Sequence, residues 1–205
     1  VTSITGRISL DVNIRGFANH AGTTPMSGRR DALLSASKII QAVNSIATDE
    51  EICRVGTVGI ARISPGADNV IPGQVMLSVE FRDENIQPLL DAETRITQLC
   101  QQESRVSKIE IEISRIGITH PSPMDLNIQQ IIDESAHNQN LETKSLPSGA
   151  GHDAQSMATL TPSGMIFVPS VDGISHSPNE YSSPESCSIG ANVLLSTILA
   201  IDQQF

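Results

Sequence analysis

Residues 7–15 decide the fold, and they read RISLDVNIR. Ile8, Leu10, Val12 and Ile14 alternate strictly with polar residues along this stretch. Successive side chains of a strand point to opposite faces of a sheet. The alternation therefore predicts a strand with one buried face and one face in water.

Helical and strand patterns follow this strand in a defined order. Apolar residues recur at spacings of three and four over 30–47 and 91–105, which predicts two helices. Strand patterns appear at 54–63, 75–81 and 109–113. The order β-α-β-β-α-β is that of ferredoxin-like folds, and it predicts a four-stranded antiparallel sheet with two helices on one face.

The remainder of the chain has a different pattern. Two prolines within residues 120–123 mark a linker. Helices are predicted near 125–139, 153–160 and 185–202, and a buried strand at 164–168. So few strands cannot form a sheet wrapped on both sides, so we expect this α/β segment to belong to a larger domain whose remainder is absent. The predicted fold class is thus α+β, a ferredoxin-like unit plus an incomplete α/β segment.

The composition excludes several classes of partner. The 205 residues carry a net charge of −10, and phosphate binding needs Lys/Arg clusters, so nucleic acid is not expected. No apolar run approaches the roughly 20 residues that cross a bilayer, so no membrane partner is expected. Cys53, Cys100 and Cys187 suit neither a disulfide framework nor a zinc knuckle, which favours a cytoplasmic location.

Two polar loops in the first part of the chain carry candidate site residues. His20 lies in NHAGTTPM (19–26), where it can donate to an oxyanion or carbonyl oxygen, or can simply brace the turn. Asn69 lies in DNVIPG (68–73) and can bind a polar substrate, although Asn in a turn more often bonds to nearby backbone.

Two further candidates carry groups suited to anions. Arg82, at the end of an alternating strand, offers a planar fork of donors that matches a carboxylate. A salt bridge to a neighbour, such as Asp83, is the alternative. In SGAGHDA (148–154) a Gly-rich turn enters a short helix and suits an anion, although His152 and Asp153 can also pair structurally.

A candidate metal ligand lies in GISHSPNE (173–180). His176 is a candidate because histidine is the commonest metal ligand in proteins. When one ring nitrogen binds a metal, the other needs a hydrogen-bond acceptor such as a carboxylate. One histidine is not a site, because a dinuclear centre needs several ligands and a bridging water.

Taken in order, these motifs resemble the N-carbamoyl-L-amino-acid hydrolase and allantoate amidohydrolase group of the two-metal aminoacylase–carboxypeptidase superfamily. The TTPM sequence at residues 23–26 resembles the corresponding motif of the carbamoyl and ureide hydrolases rather than that of the peptidases. The motifs are HAGTTPM, DNVIPG, FRD, SGAGHDA, MIFVPS and GISHSPNE. The resemblance implies a longer enzyme, in which residues 1–117 form a lid and dimerisation domain and 118–205 the C-terminal segment of the metal-dependent catalytic domain.

The resemblance also implies roles for individual residues. His176 resembles the C-terminal metal ligand, and His20 the catalytic residue that polarises the scissile carbonyl. Asn69 and Arg82 would hold the substrate, with Arg82 on its carboxylate. Gly151 and His152 would add further contacts to the substrate.

Several expectations follow from the same resemblance. The full-length enzyme would bind two divalent metal ions (Zn, Mn or Co), form a homodimer and act on a small carbamoyl or ureido substrate. Most metal ligands and the general-base Glu would lie upstream of Val1, so this chain is expected to hold no metal alone and to be inactive. A dipeptidase or aminoacylase of the same superfamily, or a pure dimerisation module, is the alternative.

Overall fold

The computed structural model describes residues 1–203 and divides the chain into two compact units. One unit is Thr5–Pro121, and the other combines Val1–Ile4 with the chain from Ser122 onward. The assignment of 1–117 to a lid domain and of 118–205 to a catalytic segment stays a prediction. The helices and strands are β1 Ser3–Ile4, β2 Gly6–Arg15, α1 Ala32–Thr48, β3 Val55–Ser64, β4 Gln74–Asp83, α2 Ile86–Ser107, β5 Glu110–Thr119, β6 Ser122–Pro123, α3 Leu126–His137, α4 Asp153–Met157 and α5 Pro184–Asp202.

The unit Thr5–Pro121 has the βαββαβ order that the sequence predicts, and the α+β class is confirmed. Its four strands are antiparallel and lie in the order β3-β4-β2-β5. The RISLDVNIR strand is β2, so the segment with the clearest alternation is one of the two central strands. The edges of the sheet are β3 and β5.

The core of this unit lies between one face of the sheet and the two long helices. Ile8, Leu10, Val12 and Ile14 of β2 are all buried, as the alternation predicts. Full burial of one such side chain contributes about 1.5–3 kcal/mol, so burial of this layer stabilises the unit. Neighbouring members of the core are Val75, Leu77, Val79 and Phe81 of β4, Ile39 and Val43 of α1, and Leu89 and Ile96 of α2.

The first helix begins as its sequence indicates, and the second begins earlier than predicted. The Asp31 carboxylate caps α1 by accepting hydrogen bonds from the amides of Leu33 and Leu34. The sequence predicts a start near Asp91 for α2, whereas the helix begins at Ile86. Pro88 lies in the first turn, where a helix needs no amide donor, so it does not interrupt the helix.

The second unit contains helices and short extended segments. β1 pairs with β6, and α3 packs against α5. The predicted strand at 164–168 is wrong, because this segment joins no ladder among residues 1–203. One of its contacts is the hydrogen bond from the Val1 ammonium to the Met165 carbonyl, at 3.0 Å.

Helix α5 has an unusual distribution of apolar residues. Val193 and Thr197 are buried, whereas Leu194, Leu195, Ile198 and Leu199 are exposed. The helix has 19 residues, and an 18-residue stretch of it has a mean hydropathy of 1.3. Within residues 1–203 it alone has the length and composition to cross a membrane. The sequence analysis expects no apolar segment close to the roughly 20 residues that cross a bilayer, and α5 corrects that expectation. The expected lack of a membrane partner stays a prediction.

Candidate functional site

The loops that carry His20 and Asn69 meet beyond one end of the β2–β4 ladder. The Ile71 amide donates to the Asn19 carbonyl at 2.8 Å, and the Ala21 amide donates to the Asn69 carbonyl at 2.9 Å. These bonds continue the antiparallel pairing past the end of the sheet. The structure therefore brings His20 and Asn69 together, although the two motifs are far apart in the sequence.

The ring of His20 has a defined hydrogen-bonding arrangement. Its Nδ1 accepts hydrogen bonds from the amides of Gly22 at 2.9 Å and Thr23 at 3.3 Å. A ring nitrogen that accepts carries no proton, so in the neutral ring the proton is on Nε2. The side chain is exposed. His20 thus braces its own turn through one nitrogen and keeps the other as a donor.

Arg29 and Thr24 fix the carbonyl groups of the same turn. The Thr24 hydroxyl donates to the His20 carbonyl at 2.7 Å. The Arg29 guanidinium donates from Nη2 to the Ala21 carbonyl at 2.5 Å and from Nε to the Thr24 carbonyl at 3.2 Å. Sequence reasoning did not identify Arg29, since an arginine that binds backbone carbonyls leaves no periodic pattern.

Arg82 lies on the polar face of the sheet and is partly buried. Its Nε donates to the Glu80 carboxylate at 2.6 Å. The carboxylate of Asp83 instead accepts from the backbone amides of Arg54 and Asn85. Arg82 therefore pairs with Glu80, because residues two apart on a strand share a face.

Arg82 is remote from His20 and Asn69 within this unit. Gln74 begins β4 beside the His20 end of the sheet, and Arg82 lies close to the strand's other end. At a rise of about 3.3 Å per residue, the two positions are about 26 Å apart. One copy of this unit therefore does not bring all three predicted substrate contacts to one place.

The Gly-rich turn of the second unit is organised by Ser148. The Ser148 side chain is buried, and its hydroxyl lies 2.8 Å from Nε2 of His152. The His152 ring also packs on Phe167, with ring centroids 5.6 Å apart. His152 thus pairs with Ser148 rather than with Asp153. A Cβ added at Gly151 would stand 3.7 Å from its nearest neighbour, the Gln155 side chain, so packing does not demand glycine there.

His176 lies on an exposed loop and adopts a left-handed backbone conformation, with φ of 56°. Its amide donates to the Glu180 carboxylate at 2.8 Å. Among residues 1–203, no three His, Cys, Asp or Glu side chains lie close enough together to hold a metal ion. The described residues 1–203 therefore provide no complete metal centre.

Two of the three thiols are unsuited to nucleophilic chemistry. Burial, with a smaller contribution from the Asp83 charge, raises the pKa of Cys53 to about 11. Burial raises the pKa of Cys100 to about 12. Because the thiolate is the reactive form, neither side chain is a nucleophile at neutral pH.

Comparison with known proteins identifies the class of protein. The chain belongs to peptidase family M20/M25/M40, whose family model matches residues 16–200. Within this family its resemblance to the N-carbamoyl-L-amino-acid and allantoate amidohydrolases is confirmed, and it corresponds to their C-terminal half. The chain spans about half the length of the curated relatives it matches.

Three relatives illustrate this similarity. The chain is 36% identical to an N-carbamoyl-L-amino acid amidohydrolase of Geobacillus stearothermophilus, over 99% of this chain and 49% of the relative. It is 37% identical to the allantoate amidohydrolase of Bacillus subtilis, over 95% of this chain and 47% of the relative. A crystal structure of a hydantoinase/carbamoylase family amidase from Burkholderia multivorans matches with a TM-score of 0.90 and 36% identity, over 97% of this chain and 48% of that chain.

Proposed function

We propose that this chain, joined to the other half that its relatives possess, is a metal-dependent amidohydrolase. It cleaves the carbamoyl or ureido C–N bond of N-carbamoyl-L-amino acids or allantoate-like ureides. The activities named for its relatives support this substrate class. The observation on which the proposal rests is the HAGTTPM turn, in which His20 has one nitrogen bonded to backbone and the other left as an exposed donor.

The role of His20 follows from where charge develops in amide hydrolysis. Attack on the carbamoyl or ureido carbon places negative charge on its oxygen, and a fixed donor lowers the barrier most when it is already aimed there. Nε2 of His20 supplies such a proton without first having to reorient. Asn69, held beside it, offers an amide for the polar atoms of the same substrate.

The metal requirement is also a proposal. Two divalent ions, when bound, supply an activated water. His176 would hold one of them as a single ligand, and the other ligands would come from outside this chain. Gly151 and His152 would contact the substrate from the same unit as His176. The Ser148–His152 contact fixes the position of that imidazole.

The separation of Arg82 from His20 supports a shared site in a homodimer. A carbamoyl amino acid is far shorter than the roughly 26 Å between the two ends of β4. Arg82 and His20 of one copy therefore cannot bind the same molecule. If Arg82 holds the substrate carboxylate, His20 and Asn69 reach that substrate from a second copy.

An exposed sheet edge is the best candidate for the dimer surface. Edge strand β3 carries exposed Val55, Ile60 and Ile63, and α1, which packs beside it, exposes Leu34. An apolar edge strand with unpaired backbone groups is suited to pairing with another strand. This surface also favours the second candidate function, a dimerisation module without activity of its own.

Substrate profiling tests the proposed function. The full-length protein with manganese or zinc should release ammonia from N-carbamoyl amino acids or allantoate and leave dipeptides and N-acetyl amino acids intact. The 205-residue chain alone should be inactive, because residues 1–203 supply one proposed metal ligand and no complete metal centre. Preferential peptide cleavage would favour a dipeptidase, and activity of the isolated chain would contradict the proposed division of ligands.

A further inference from the structure

We propose that Arg29 is a positioning residue for His20. Its guanidinium fixes the turn whose amides keep Nδ1 of His20 as an acceptor, and so keeps the proton on Nε2. This inference rests on the proposed function, in which Nε2 is the donor to the reacting oxygen. Arg29 would act through the turn and would not contact the substrate.

Beyond the bridge between His20 and Val70, the His20 turn lies outside the strands and helices of the fold. Its amides at Gly22 and Thr23 donate to the His20 ring. Its carbonyls at Ala21 and Thr24 accept from Arg29. The ring and the guanidinium are therefore complementary, since one satisfies donors of the turn and the other satisfies acceptors.

A planar guanidinium offers several donors in a fixed arrangement, so Nε and Nη2 of Arg29 can reach two carbonyls three residues apart at once. A lysine ammonium is a single point of charge on a flexible stem and cannot reproduce that fork. Without the fork, the exposed turn would sample other conformations, and the two amides would no longer face Nδ1.

The neighbouring residue, Arg30, provides a matched comparison. Arg30 has the same charge, but its guanidinium lies over the Phe17 ring, 5.4 Å from the centroid. Within residues 1–203, its side chain donates no hydrogen bond to the turn. Substitution at Arg30 thus removes one positive charge near the loop and leaves the carbonyl contacts of Arg29 in place.

The test reads the tautomer of His20 directly. Long-range proton–nitrogen NMR of the 205-residue chain should show a single Nε2–H form in the wild type and in Arg30→Ala. Arg29→Ala should show a mixture of the two neutral tautomers, and Arg29→Lys a smaller shift in the same direction. The amide spectrum of the sheet, unchanged in each variant, serves as the check of folding.

Two results would overturn the inference. One is an unchanged Nε2–H tautomer in folded Arg29→Ala. The other is a wild-type tautomer in Arg29→Lys if Arg29→Ala does not fold. In either case the hydrogen bonds to Ala21 and Thr24 would not control the ring.

Kinetics of the full-length enzyme separate this inference from the proposed function. Arg29→Ala should lower kcat by roughly 10- to 100-fold with little change in KM, since a small misplacement of a catalytic group has an effect of that order. In a His20→Ala background it should cause no further loss. An additive loss in the double variant would contradict the inference. Absence of amidohydrolase activity in the wild type would refute the proposed function and leave the tautomer result standing.

Discussion

The carboxylate of Glu103 on α2 binds the ammonium of Lys38 on α1 at 2.9 Å and so joins the two helices that cover the sheet. The same carboxylate accepts hydrogen bonds from the hydroxyls of Ser35 and Ser107. Burial acts to raise the pKa of Glu103, but the hydrogen bonds from Ser107, Lys38 and Ser35 outweigh burial, and the net pKa is lowered. The ionised carboxylate is therefore the form that stabilises this pair of helices.

The first prediction concerns pH. A carboxyl group whose pKa is lower in the folded state stabilises the fold above its unfolded pKa, which is about 4.3 for glutamate. Glu103→Gln should reduce the free energy of unfolding by about 1–2 kcal/mol at pH 7, a figure already reduced because Lys38 is half exposed. The difference from the wild type should shrink as the pH falls below about 4.3.

Urea denaturation at several pH values measures this difference. Glu142→Gln, at an exposed position, is the control and should follow the wild type throughout. A loss for Glu103→Gln that stays constant from pH 7 to pH 3 would mean that the ionised carboxylate does not provide the stabilisation.

A second prediction concerns two glycines of the edge strand β3. A Cβ at Gly56 would lie 2.6 Å from the Val43 carbonyl of α1 and 3.0 Å from the Phe81 ring, so the helix would have to move. A Cβ at Gly59 would meet no atom within 4 Å. Gly56→Ala should destabilise the fold by about 1–3 kcal/mol, as overpacking does, and Gly59→Ala should not.

Chemical denaturation of the two variants under identical conditions decides this point. Equal stabilities would contradict the close approach of α1 and β3. A loss at Gly59 alone would mean that the bulge near Val58 and Ile60, rather than packing against the helix, sets the requirement for glycine in this strand.

The third prediction concerns the thiols. Cys187 is exposed, whereas Cys53 and Cys100 are buried with raised pKa values. An aromatic disulfide reagent at pH 8 should therefore modify one thiol quickly in the native chain and all three in denaturant. Mass spectrometry identifies the residue, and Cys187→Ser should abolish the fast phase. Fast labelling of Cys100 in the native chain would show that the core between α2 and the sheet opens readily.

These features differ in how far the sequence predicts them. The alternation in β2 predicts both the strand and its buried face, because the period of two is a direct consequence of strand geometry. The segment 164–168 has an apolar composition typical of a buried strand, but a strand also needs a neighbour, which composition does not reveal. The sequence also does not predict the early start of α2 at Ile86. A proline such as Pro88 disrupts the interior of a helix but is tolerated in its first turn, and the sequence pattern alone does not distinguish the two positions.

The candidate site was predicted in part. The motifs identify His20 and Asn69, and the pairing of their loops brings the two residues together. The sequence itself places Asn69 before β4 and Arg82 at its end, so the length of this strand already separates them. The resemblance assigns both residues to one substrate and contains no information on that distance. The contribution of Arg29 depends on backbone carbonyls, which have no signature in the sequence. The roles assigned to all of the site residues stay predictions, and these are His20, Asn69, Arg82, Gly151, His152 and His176.

The fourth prediction concerns assembly. The apolar edge of β3 should pair two copies, so the wild-type chain should be a dimer in light scattering at micromolar concentration. Ile60→Asp places a carboxylate in that edge and should raise the dimer dissociation constant by roughly tenfold or more, because burying an unpaired charge is costly. Ile116→Asp, on the opposite edge strand β5, is the control for a charge at an exposed apolar position. If Ile116→Asp dissociates the dimer and Ile60→Asp does not, the interface lies at β5 and not at β3.

The last prediction tests whether two copies share one site. In a homodimer where Arg82 of one copy and His20 of the other bind the same substrate, Arg82→Ala and His20→Ala should each inactivate the full-length enzyme. Co-expression of the two variants should restore about a quarter of wild-type activity, because half of the randomly assembled dimers are mixed and each mixed dimer has one intact site of two. If both residues serve the same site from the same copy, no dimer contains an intact site, and mixing restores nothing. Ile60→Asp added to both variants is the control, since it should remove the restored activity if β3 forms the interface.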